Sequence, residues 1–158
     1  MLAPFSIEGA SSKSGAVHTA PADQLKWGEA ALHVSLSSQQ PDARRWEASI
    51  RNNVGYALHQ LGRYDEALSQ FHKALAIREQ GTNSEATRVA RWMVAWTLRS
   101  LGRNDEALRI QLTLEKDADA AGKPDPYVFE ELEALYRKAG NQSKAQHYAE
   151  RKAAASQR

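Results

Sequence analysis

The sequence has no cysteine among its 158 residues, so it forms no disulfide framework, no thiolate zinc site, no iron–sulfur cluster and no cysteine nucleophile. Long hydrophobic runs are missing too. Nothing approaches the roughly 18 to 20 consecutive apolar residues that a bilayer-spanning helix needs. The N-terminal stretch MLAPFSIEGASSKSGAVHTAP lacks a basic region followed by an apolar one, which is the build of a secretory signal, so the expected location is cytoplasmic. Nor is there an excess of charge of one sign: 21 Lys+Arg stand against 19 Asp+Glu, a formal +2, and no global field favours nucleic acid or an anionic membrane. The remaining composition, 42% apolar and 25% charged, suits one globular unit with a modest core.

Residues 1–20 are small or polar, with Gly9, Ser11, Ser12, Ser14 and Gly15 clustered, and are expected to form a flexible tail or linker. Within them GASSKSG has the look of a phosphate loop, but that motif needs a glycine directly before Lys13, where Ser12 stands, and no strand precedes it. Beyond Pro21 the pattern is helical. Leu25, Ala30, Leu32 and Leu36 give a first helix an apolar side up to about Ser38. Pro41 opens the next, where Trp46, Ile50, Val54, Leu58 and Leu61 recur every three or four residues until Gly62. Tyr64, Ala67, Leu68, Phe71, Ala74 and Leu75 form a further stripe ending at Gly81. Thr82 with Glu85 reads as a capping box, and Asp125 before Pro126 as an N-cap with proline at the first helical position. Seven helices are predicted, one lone helix and three pairs, and two helices joined by so few residues fold back antiparallel.

The chain repeats itself. LGRYDEALSQF over residues 61–71 returns as LGRNDEALRIQ over 101–111, with seven identities in the first eight positions at an offset of 40 residues. A weaker copy, KAGNQSKAQHY, runs over 138–148, its glycine 38 residues after Gly102. Repeats of this period indicate stacked supersecondary units, none of which can bury its apolar face alone.

In Gly55, Leu58, Gly62, Tyr64, Ala67, Phe71 and Ala74 the first pair resembles the tetratricopeptide repeat. The second pair has Ala95 in place of the first glycine, then Leu98, Gly102 and Ala107, with Asn104 and Gln111 at aromatic positions; the third keeps Tyr136, Gly140 and Ala145. The resemblance covers about residues 42–155 and implies an all-α fold, antiparallel helix pairs stacked in a right-handed superhelix. About three repeats, near 42–81, 84–121 and 125–155, would follow an extra N-terminal helix in a repeat domain spanning 21–156. Arg51 and Arg91 replace a bulky residue of the family pattern, and the offsets exceed its usual period of about 34, which predicts longer helices and loops.

Catalytic and metal chemistry find little support. The histidines, His18, His33, His59, His72 and His147, have no i, i+4 pairing that puts two imidazoles on one helix face, so neither a metal nor a cofactor is expected. The serines lack a nucleophile elbow and an activating base. Asp65–Glu66 and Asp105–Glu106 open second helices, where negative charge complements the helix dipole. Glu130, Glu131 and Glu133 read as a solvated face, and no enzyme is expected.

The helix over 84–101 has two apolar sides, Val94, Leu98 and Leu101 on one and Val89, Trp92, Met93 and Trp96 on the other. Arg88, Trp92, Trp96 and Arg99 fall in one row of cation, aromatic, aromatic, cation. Corresponding positions carry Asn52, Asn53, Tyr56, His59 and Gln60 on the preceding first helix, and Tyr127, Glu130, Ala134 and Arg137 on the following one. The resemblance implies that this side is concave and binds a peptide or partner helix, and Asn53 stands where members often place an asparagine that holds a peptide backbone. The set of lysine, asparagine and arginine that clamps a C-terminal carboxylate is not reproduced. Tryptophans at helical spacing also serve as inter-repeat packing. Aromatics beside arginine are nonetheless the types that dominate binding hot spots, and an acidic or aromatic peptide would suit them.

The expected function is a non-enzymatic protein-interaction module. The alternatives are nucleic-acid binding through the arginine-rich side and a structural, self-associating subunit. The latter draws on uneven charge: residues 115–133 carry 2 Lys+Arg against 7 acids, and residues 137–158 carry 6 against 1.

Overall fold

A computed structural model describes residues 19–157, and in these the fold is all-α. The helices are α1 (Pro21–Ser37), α2 (Glu47–Gln60), α3 (Tyr64–Glu79), α4 (Ser84–Ser100), α5 (Asn104–Ala120), α6 (Pro126–Lys138) and α7 (Gln142–Ser156), with a 3-10 segment at Pro41–Trp46 between the first two. The tail expected over residues 1–20, with Ser12, Lys13 and His18, lies outside the described residues except for Thr19 and Ala20.

Each helix packs on its neighbours in the chain, and the pairs α2–α3, α4–α5 and α6–α7 stack in order. The reversals depend on glycine. Gly62, Gly102 and Gly140 have φ of 74°, 76° and 76°, the left-handed region that a side chain disfavours. There the next residue's N–H reaches back five positions, as Arg63 N does to the Leu58 carbonyl at 2.9 Å, satisfying a carbonyl the helix end leaves free. Gly122 ends α5 in the same way, with Lys123 N donating to the Ala118 carbonyl. Gly81 does not: α3 ends at Glu79, and the expected glycine stop lies past it without a positive φ.

The core has two clusters. Val54, Leu58, Phe71, Met93, Val94 and Leu98 belong to the first, and Leu114, Val128, Phe129, Leu132, Tyr136 and Tyr148 to the second. Trp92, Leu108 and Ile110 touch both. Arg51, at a bulky position of the repeat, is itself buried: Nε donates to Glu47 at 2.8 Å and Nη1 to Gln70 at 3.0 Å, so its stem fills space while its head is paired.

Several expectations need correction. In α1 Leu25 is buried against α2 and Ser35 beside the 3-10 segment, where its hydroxyl donates to the Ala43 carbonyl at 2.7 Å; Leu32 is partly buried, whereas Ala30 and Leu36 are exposed. Trp46 and Leu61 are exposed as well, because the chain is still in its 3-10 segment at the first and leaving α2 at the second. Asn83, not Thr82, caps α4, its Oδ1 accepting from Ala86 N at 3.0 Å. Asp125 caps α6 as expected, accepting from Tyr127 N at 3.0 Å. Glu131 and Glu133 are not solvated: only 3% and 8% of their surface is exposed, and both are ion-paired.

The acidic and basic stretches meet within the chain. Arg151 bonds to Glu115 and Asp119, and Lys152 Nζ lies 2.7 Å from Glu133. Part of the opposite charge that could draw two copies together is thus paired inside one.

Candidate interaction surface

Helical spacing puts Asn52, Tyr56 and His59 along one side of α2, Arg88, Trp92, Trp96 and Arg99 along one side of α4, and Tyr127 with Glu130 along α6. Stacking the helices brings the rings together. His59 lies flat on Trp96 at 3.4 Å between centroids, and Trp96 stacks on Trp92 at 5.7 Å. Trp92 meets Tyr127 edge-on at 6.4 Å, while Tyr56 stacks beside Trp96 at 6.1 Å. The series Tyr127–Trp92–Trp96–His59 therefore crosses three helices, each one the first of its pair. All five rings are half-buried, Asn52 likewise, and Asn53 is exposed.

His59 is held neutral. Burial, and then the nearby charge of Arg99, lower its pKa to about 4. Ser100 Oγ donates to the Trp96 carbonyl at 3.2 Å, which leaves His59 Nε2 to donate to that hydroxyl oxygen at 2.9 Å. The ring thus enters the stack as an uncharged plane.

The two arginines of the row are engaged within the chain. Arg99 binds Glu131 with both prongs, Nε at 2.7 Å and Nη2 at 2.8 Å. Burial pushes the Glu131 carboxyl up and the Arg99 contact works against it, while the same contact raises Arg99. Arg88 binds Glu85 at 2.6 Å and also the buried Asp125, the residue that caps α6. Pairing with a partner's carboxylate, the role open to them in the sequence, would require them to leave these groups. Trp92 Nε1 and Asn52 Oδ1 are buried without a hydrogen-bond partner among the described residues. They occupy equivalent positions, 40 residues apart.

Three contributors went unrecognised in the sequence. Tyr64 packs edge-on against His59 at 4.8 Å, Ser100 fixes the imidazole, and Glu131 holds Arg99. Only Tyr64 carried a local signal, as a framework position of the repeat. Among the described residues no three histidine or acidic side chains converge as metal ligands, and no helix is long and apolar enough to cross a membrane.

The family profile of the tetratricopeptide repeat matches residues 46–113, which takes in α2, α3, α4 and more than half of α5. Residues 46–113 thus carry tetratricopeptide repeats. Such repeats generally mediate protein–protein interaction and typically lack catalysis of their own. Two of the three helices bearing the ring series lie within the matched tetratricopeptide repeats, and α6 follows them. No curated protein matches the chain.

Proposed function

We propose that the chain is a non-enzymatic interaction module whose repeat domain, residues 21–156, holds a peptide or helix of a partner protein against its first helices. The face comprises Asn52, Asn53, Tyr56, His59, Arg88, Trp92, Trp96, Arg99 and Tyr127. One observation carries this: the rings Tyr127, Trp92, Trp96 and His59 form an unbroken series across three helices. A single helix pair needs no such series for its own packing. Half-buried aromatics offer large contact area with little side-chain entropy to lose, which is why they dominate interfaces.

Truncating Trp92 is a poor test, because that side chain packs against both core clusters and its loss would loosen the fold. Photo-cross-linking avoids the difficulty. A benzophenone amino acid placed at exposed Asn53 is expected to form adducts with a discrete protein in lysate of the source organism, and the same probe at exposed Lys73 of α3 or Lys116 of α5 is not. Equal adducts from all three positions, or adducts from the second helices alone, would remove the face from the function.

A further inference from the structure

Beside Arg99 carboxylates outnumber cations, since Arg137, further along the same side of α6, is paired with Glu133. Both arginines of the row reach α6, and two carboxylates share the field of Arg99: Glu131, which takes both prongs, and Glu130, which acts on both members of the pair. Glu130 is exposed and makes no ion pair among the described residues. It stands three residues after Tyr127, on the same side of α6, and Tyr127 meets Trp92 edge-on. At the other end Arg88 is opposed by Glu85 and Asp125, with Lys123 acting on Glu85. His59 adds no charge at neutral pH. The face thus sets an exposed carboxylate outside any ion pair beside partly open indole and phenol rings, whose negative π-faces attract cations.

Resting on the interaction face proposed above, we infer that its occupant is a basic peptide segment. An arginine or lysine side chain of that segment lies against the Trp92–Tyr127 corner and pairs with Glu130. Acidic segments are disfavoured on two counts. Arg88 and Arg99 would have to abandon internal partners to receive them, and Glu130 repels them.

The test uses a phage-displayed library of random twelve-residue peptides selected on the whole chain in low-salt buffer. Peptides on the face are identified by cross-linking from the benzophenone at Asn53. Those peptides are expected to be enriched in arginine and lysine. Their affinity should fall about threefold with Glu130→Gln and about tenfold with Glu130→Lys, exposed substitutions that leave the helical circular dichroism unchanged. Cross-linked peptides that are acidic, or that bind Glu130→Lys as well as the parent, overturn the inference and leave the face standing. If no selected peptide cross-links from Asn53, the face itself falls, and the inference with it.

Discussion

At Gln111 the side-chain amide is fully buried, and neither Nε2 nor Oε1 has a hydrogen-bond partner among the described residues. Its counterpart 40 residues earlier is Phe71, whose ring lies against Gly55 so closely that a Cβ there would stand 2.7 Å from Cε1. In the second pair Ala95 takes the place of Gly55, and a ring set as Phe71 is would collide with its methyl. A slimmer side chain at position 111 follows from that exchange of volume, though a polar one does not. Gln111→Leu, of similar bulk, should therefore raise stability by about 1 kcal/mol, by removing a buried amide whose hydrogen bonds to water are lost on folding. For a chain of this length that is about 3 °C in melting temperature, read by calorimetry or by the urea midpoint. A lower midpoint would mean that the amide is satisfied in solution. Both substitutions were visible in the sequence as departures from the repeat, but their coupling was not, because only the folded backbone puts position 95 beneath position 111.

Among whole elements, the six helices of the three pairs were legible because apolar spacing, turn glycines and the repeat agreed on them. Helix α1 was misread for a physical reason. It has two opposite apolar sides, and periodicity alone does not say which one meets a partner: Leu25 faces α2, while Trp27 and Val34 remain 68% and 66% exposed. The ring row of the candidate site was equally legible, since 88, 92, 96 and 99 share one side of any helix. Its ion-pair partners were not. Asp125 and Glu131 lie 37 and 32 residues beyond the arginines they bind, and no local pattern marks a contact of that range. Helix pairing also sets the outcome of substitution at Gly55. Replacing a mid-helix glycine by alanine normally stabilises by about 0.5–1 kcal/mol. Here the approach of α3 reverses the sign, and Gly55→Ala should destabilise by about 1–2 kcal/mol through collision with Phe71. Adding Phe71→Leu to Gly55→Ala should recover part of that loss. Urea denaturation of the two variants checks both, and a more stable Gly55→Ala would mean that the α2–α3 contact yields without penalty.

Across the molecule, stability is expected to be graded. Helices α2 to α6 are each covered by a neighbour on two sides, whereas α1 packs on α2 and the adjoining 3-10 segment, and α7 on α6. In a stacked array the terminal units have one interface where inner units have two, so they open first. Hydrogen exchange followed by mass spectrometry should find α1 the least protected helix and α2–α4 the most. Equal protection of α1 and α4 would show one cooperative unit instead.

The stack of Trp92 on Trp96, with planes 19° apart, has an optical consequence. Two indoles so close and nearly parallel couple their electronic transitions, whereas Trp27 and Trp46 stand in solvent. The chain thus carries a native chromophore pair where its occupant is proposed to lie, and a guest that parts or tilts those rings changes the ultraviolet circular dichroism without any label.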